Sequence, residues 1–96
     1  MDIKDLIPVG EDNRITAAEI TTKTHLHGAT IRFQINKLRS EFVPIASDKK
    51  GYFIAEKPEE LSHTIAQINS RIHKMIKARE GLKKAQIIMK EKIENV

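Results

Sequence analysis

The chain has 96 residues, 40% of them hydrophobic, and its only aromatics are Phe33, Phe42, Tyr52 and Phe53, so one small domain must build its core from Ile and Leu rather than from rings. The absence of cysteine excludes a disulfide framework, a thiolate metal site and a thiol nucleophile, and it fits a reducing cytoplasm. The opening "MDIKDLIPVGEDN" is too short and too acidic for a signal peptide, and no run approaches the roughly 18 apolar residues of a membrane span, so a cytoplasmic chain with no membrane contact is expected.

The net charge of +4 is unevenly spread. Residues 1–57 hold nine Lys/Arg against eight Asp/Glu (+1), and residues 58–96 hold eight against five (+3). Between Arg71 and Lys90 the only acid is Glu80, beside Arg71, Lys74, Lys77, Arg79, Lys83, Lys84 and Lys90. Such a stripe suits phosphate or an acidic partner, or is simply a solvated helix face.

In chain order, "DIKDLI" predicts a turn or two of helix with Asp2 as N-cap and Ile3, Leu6 and Ile7 inward, stopped by Pro8. "GEDN" reads as a loop. Thr16 with Glu19 three residues on is a capping box, which opens a helix at Ala17 that runs to about Thr24, with Ala17 and Ile20 as its core contacts. A second helix follows over roughly Gly28 to Arg39, where Ile31, Ile35 and Leu38 form one narrow buried stripe. So short a connection forces a steep crossing, with Leu26 plugging the corner, which is the helix-turn-helix pattern. "VPIAS", "DKKG" and "YFIAE" then predict a hairpin whose turn ends at Gly51, a residue free to take positive φ, and Ile15 is placed to add a third short strand. Helix-turn-helix followed by a hairpin is the winged-helix order.

Pro58, Glu59 and Glu60 mark a new helix start. From there a 4-3 repeat comprises Leu61, Ile65, Ile68, Ile72, Met75, Arg79, Leu82, Gln86, Met89, Ile93 and Val96. A helix over 58–96 would be about 58 Å long at about 1.5 Å per residue, too long to be covered by a 57-residue domain, so another chain is the expected cover. Gly81 costs about 1 kcal/mol against Ala inside a helix, yet the repeat keeps its register across it, so one helix is expected.

The stretch "ITAAEITTKTHLHGATIRFQINKLRSEFVPIASDKKGYFIAE" resembles a winged helix-turn-helix DNA-binding domain. It is similar to small DNA-binding proteins of phages and prophages in Gram-positive bacteria and, more distantly, to the DNA-binding domain of the biotin repressor. The resemblance covers residues 3–56. It implies a supporting helix over 17–24, a recognition helix over 28–39, and Lys49 and Lys50 at a wing tip. Two departures stand out. His25 occupies the corner where the family usually has Gly, although His tolerates positive φ better than most residues. His27 and Gly28 replace the usual Ser-Asp start, which leaves the recognition helix weakly capped.

With Ile31, Ile35 and Leu38 inward, the opposite face presents Ala29, Phe33, Asn36 and Ser40, flanked by Thr30, Arg32 and Lys37. Asn36 is suited to adenine, Arg32 to guanine, and Thr30 and Phe33 to thymine methyls. Lys23, Lys37, Lys49 and Lys50 are suited to phosphates. An outward Phe on such a helix equally fits a protein contact. Arg14, Lys23 and Arg39 have Glu11, Asp12 and Glu19 as alternative partners.

No chemistry beyond binding is expected. His25, His27, His63 and His73 form no HExxH or Cys-partnered set, no Gly-rich phosphate loop is present, and Ser40, Ser47, Ser62 and Ser70 lack an identifiable base. No enzyme, metal or cofactor is predicted. In the repeat, Ile65, Ile72 and Ile93 at a and Leu61, Ile68 and Leu82 at d suit a parallel two-stranded coil. The flanks carry Arg71, Lys83, Lys90 and Lys92 without an acid, and Ile76, Ala78 and Ala85 widen the apolar face. A larger bundle or an acidic partner helix therefore stays open.

The expected protein is mainly α (α+β). A winged helix-turn-helix domain over 1–57 with a hairpin wing precedes an oligomerisation helix over 58–96 carrying Leu61, Ile65, Ile68, Ile72, Met75, Leu82, Met89 and Ile93. The expected function is that of a dimeric phage-type transcription regulator reading a two-fold double-stranded DNA site. The alternative is a phage replication or host-takeover adaptor that grips another protein.

Overall fold

A computed structural model describes residues 2–95, so Val96, the last member of the 4-3 repeat, lies outside the described residues. The chain divides into two compact units at Ile65/Ala66. The first begins with one helical turn, α1 (Ile3–Leu6), which Asp2 precedes without a side-chain capping bond. Ile3 and Ile7 are buried while Leu6 is only half-buried. The stretch expected to be plain loop contains a 3-10 turn at Glu11–Asn13.

Helix α2 (Ala17–Thr24) opens on the full capping box. The Glu19 N–H donates to Thr16 Oγ1 at 3.1 Å and the Thr16 N–H to Glu19 Oε1 at 3.1 Å. Ile20 is fully buried, but Ala17, expected in the core, is exposed. From the first turn of the helix a single methyl is too short to reach the apolar centre. The helix ends at His25 with φ +61, and the His25 N–H donates to the Thr21 carbonyl at 2.7 Å. The expected left-handed corner is therefore present without Gly. Leu26 packs half-buried on the core behind it.

Helix α3 (Gly28–Ser40) extends one residue past the expected end, and His27 gives it no side-chain cap. Ile31 and Ile35 are each 1% exposed, and Leu38 packs half-buried against the same cluster. Two bonds close its C-terminus, Phe42 N–H to the Arg39 carbonyl at 3.1 Å and Val43 N–H to the Leu38 carbonyl at 3.0 Å. This is a Schellman motif with Phe42 (φ +71) where Gly is usual.

Strands β1 (Ile45–Asp48) and β2 (Gly51–Ile54) form an antiparallel hairpin in which Ile45 pairs with Ile54 and Asp48 with Gly51. Gly51 has φ +135, and a Cβ there would lie 2.8 Å from the Ile15 carbonyl carbon. The third strand expected at Ile15 is only an isolated bridge to Tyr52, because Arg14 and Thr16 on either side turn into the 3-10 turn and α2. A second isolated bridge joins Val9 to Ile54.

Isoleucines Ile3, Ile7, Ile15, Ile20, Ile31, Ile35 and Ile45 make one core cluster, so α1, α2, α3 and the hairpin meet on branched aliphatic side chains. Pro58–Leu61, expected as the first α-helical turn, is a 3-10 turn, and α4 begins later, spanning Ser62–Glu94. The reason lies in the chain's entry. Glu60 Oε1 accepts from the Lys57 N–H at 2.9 Å and the Glu56 N–H at 3.2 Å, which tightens this turn. Thr64, 4% exposed, then bonds to both backbone groups of Ser47, at 3.0 and 3.2 Å, so the first turn of α4 belongs to the first unit.

The second unit is the remainder of α4, which passes through Gly81 unbroken. The molecule is thus mainly helical with a two-stranded hairpin and a long C-terminal helix, an α+β architecture. Among the described residues no helix is long and apolar enough to cross a membrane.

Candidate functional site

Two surfaces stand out, one on α3 and one along α4. On the first, the buried stripe of α3 fixes what its opposite face shows. At about 100° per residue, anchoring Ile31 and Ile35 turns Thr30, Arg32, Phe33, Asn36 and Lys37 outward. All five are exposed, as are Ala29 and Ser40, and Phe33 retains 69% of its accessible surface. Ser40 Oγ donates to the Lys37 carbonyl at 2.6 Å. Lys37 also lies in the last helical turn, where a cation complements the negative end of the helix dipole.

Lys23 is exposed near the end of α2, and Lys49 and Lys50 are the exposed two-residue loop between β1 and β2. That loop is shaped by Asp48, whose Oδ1 accepts the Lys50 N–H at 2.8 Å. The structure therefore puts every expected DNA-binding side chain in contact with solvent. It brings Thr30, Arg32, Phe33, Asn36 and Lys37 together on one helix.

Arg14 and Arg39 are structural instead. Arg14 Nη2 lies 3.0 Å from Glu11 Oε1 and 2.6 Å from Asp48 Oδ2, and its guanidinium stacks 5.2 Å from the Phe53 ring centroid. The hydrogen bond to Asp48 holds the Arg14 pKa above its ordinary value. Burial pushes the Asp48 carboxyl up, but Arg14 and the N–H groups of Lys50 and Gly51 outweigh it and hold the carboxyl below its usual range. Arg39 Nε donates to the Ile45 carbonyl at 2.9 Å and Arg39 Nη2 to Ser47 Oγ at 3.1 Å, fastening α3 to β1. Glu11 is one of the three acids open to Arg14 from the sequence, while the Asp48 and Phe53 contacts have no sequence signal. Thr16 lowers the Glu19 pKa, through its backbone N–H first and its hydroxyl second.

One feature of this unit has no signature in the sequence. Phe42, just past α3, is 94% exposed in a backbone conformation that disfavours any side chain with a Cβ. No local sequence rule marks it, because Gly is the residue normally sought at that position.

The second surface is the repeat along α4. Ile72, Met75, Leu82, Met89 and Ile93 are all more than half exposed, between 51% and 74%. Ile65, in the first turn of the helix, is 55% exposed, and Ile68 is half-buried. Leu61 does not share their helix: it lies half-buried in the 3-10 turn, whose three residues per turn do not carry the α-helical phase. Ile76 widens the face as expected, and Ile87 and Ile88, given no part by the repeat, are exposed as well. Arg79, inside the repeat, has its Nε 3.1 Å from Glu80 Oε1, and Lys83 Nζ approaches the same oxygen at 3.9 Å.

Beside β1 a cleft of about 340 Å³ is lined by Glu11, Asp48, Glu59, Glu60 and His63, among others, an acidic setting that repels phosphate. Among the described residues no group of His, Asp and Glu side chains is arranged to hold a metal ion. Comparison with family models, with curated proteins and with solved structures returns no match to this chain.

Proposed function

We propose that the first unit is a winged helix-turn-helix that binds double-stranded DNA, with α3 entering the major groove and the Lys49–Lys50 loop on the flanking backbone. The observation that carries this reading is the division of α3. Ile31 and Ile35 are 1% exposed, while Thr30, Arg32, Phe33, Asn36 and Lys37 form an uncovered outer face. Asn36 and Arg32 then reach base edges, and Thr30 and Phe33 contact thymine methyls. Lys23, Lys37, Lys49 and Lys50 neutralise phosphates. The apolar stripe of α4 joins two copies, so that a cytoplasmic dimer reads a two-fold site in the manner of a phage-type transcription regulator. The unit's small net charge gives it little nonspecific affinity, and two half-sites compensate.

The test is selection of duplexes from a random pool, followed by titration of the selected duplex at two salt concentrations. Asn36→Ala and Arg32→Ala each weaken binding to that duplex by about 5- to 150-fold, the equivalent of about 1–3 kcal/mol, and relax the base preference at one position. Lys49→Ala weakens all duplexes alike and reduces the salt slope by about 0.9. If no duplex is enriched and α3 substitutions leave duplex binding unchanged, the proposal fails.

A second reading has its own support in Phe33 and Phe42, two largely exposed aromatics in the same unit. It makes the chain an adaptor in phage replication or host takeover that holds another, acidic protein. Capture of such a partner by the wild-type chain but not by Phe33→Ala, without duplex binding, is the outcome that favours it.

A further inference from the structure

Self-association through α4, part of the function proposed above, leaves the direction of the partner helix open, and the order of side chains along the stripe decides it. In a parallel in-register pair every layer meets its own copy. Arg79 then faces the partner's Arg79 and Gln86 the partner's Gln86, at positions that want apolar side chains. Two guanidinium groups in one coil layer repel, and both lose water.

We propose that α4 pairs with α4 of a second copy as an antiparallel two-stranded coil whose two-fold axis passes at Lys77. In this register Ile72 meets the partner's Leu82, Met75 the partner's Arg79 and Ile68 the partner's Gln86. No layer contains two polar residues. The two Arg79 side chains are displaced by about 6 Å along the axis, at about 1.5 Å per residue, and leave by opposite flanks. Each lays its aliphatic stem over the partner's Met75 and keeps its Glu80 contact at 3.1 Å.

The flanks agree with the layers. An antiparallel pair brings e positions against e and g against g. Ile76 then meets the partner's Ile76 and Ala78 the partner's Ala78 around the axis, which covers part of the widened apolar face. Arg71 falls beside the partner's Ala85, Lys83 beside Asn69, and Lys92 beside Thr64, so no cation faces a cation. Sliding by one heptad in one direction sets Arg71 against the partner's Lys92 at both ends. Sliding the other way carries Met89, 64% exposed, past the start of the partner's helix at Ser62. The chosen register avoids the first fault and seats Met89 on the partner's Ile65, leaving only Ile93, level with the partner's Leu61, beyond the helix start. A helix of this length with so much exposed apolar surface gains most from such a cover, because helix stability in proteins comes chiefly from packing of the apolar face.

The chain has no cysteine, so cross-linking of introduced cysteines reads the geometry directly. Sedimentation of the wild-type chain first gives the assembly. Ile72→Cys and Leu82→Cys chains are then oxidised mildly, separately and as a 1:1 mixture. A disulfide needs Cα atoms within about 7 Å. In the proposed coil, Ile72 lies about 15 Å along the axis from its own copy, at about 1.5 Å per residue, but level with the partner's Leu82. The mixture is therefore expected to give a cross-linked heterodimer, and each variant alone almost none. The pair Ile68→Cys and Gln86→Cys repeats the test one layer further out, should the first pair weaken association.

A homodisulfide from either single variant of a pair overturns the antiparallel direction while leaving self-association intact, as does a dimer whose mixtures give no heterodimer. An assembly larger than two overturns the two-stranded form. A monomer at tens of micromolar removes self-association itself, and with it the coil.

Discussion

Replacing Phe42 by Gly is expected to stabilise the protein, although it deletes an entire aromatic side chain. Phe42 sits at φ +71, where a Cβ crowds the following carbonyl and costs a non-glycine residue about 1–2 kcal/mol. Its ring is 94% exposed, so removing it forfeits almost no buried area. Gly has a cost of its own, since the unfolded chain gains freedom amounting to about 0.5–1 kcal/mol. The difference centres on a net gain of about 0.75 kcal/mol, which for a domain of this size raises Tm by about 3–6 °C. Both capping bonds, at 3.0 and 3.1 Å, use backbone atoms alone and survive the change. Circular dichroism melts and urea titrations at one fixed protein concentration measure the effect, because self-association makes stability concentration-dependent. Phe42→Ala is the control, keeping the strained Cβ while losing the ring, and is expected to be close to neutral. If Phe42→Gly melts at or below the wild-type temperature, or Phe42→Ala loses more than about 1 kcal/mol, the ring is packed and the account of this corner is wrong.

Three further outcomes follow from the same geometry. Ile35→Ala opens a cavity in the isoleucine cluster, where Ile35 is 1% exposed, and is expected to cost about 2–5 kcal/mol by urea denaturation. Glu19 and Asp48 have lowered folded-state pKa values, so on acidification the unfolded chain takes up protons first. Their contribution to stability is complete above the usual carboxylate range and disappears as pH falls through the folded-state values. Asp48→Asn should therefore flatten part of the loss of stability below about pH 4, and an unchanged acid limb would contradict the Arg14–Asp48 pairing. Gly81→Ala places a methyl group in open space on α4, with nothing within 4 Å, and should raise helicity at 222 nm and add about 1 kcal/mol. A loss of helicity there would mean that the helix does not run through this position.

How much of this was legible in advance depended on the reach of the interaction involved. Thr16 and Glu19 close their capping box over three residues, His25 turns its corner by a bond to Thr21, and Ile31 and Ile35 share a face because a helix repeats every 3.6 residues. Such features need nothing beyond the neighbouring turn, so α2, α3, the hairpin turn at Gly51 and an unbroken helix across Gly81 could all be anticipated from the chain alone.

The tertiary structure decided what depends on residues far apart. Arg14 was a surface cation with several possible acids until the hairpin brought Asp48 and Phe53 to it. Ile15 became a single bridge to Tyr52, not a strand, because the chain on either side of it was already turning into the 3-10 turn and α2. Thr64 was one more residue at the start of a long helix until it found both backbone groups of Ser47 in the hairpin. Periodicity sets the phase of a helix and short-range bonds set its ends. Which face is covered, and by what, is known only when distant segments have met.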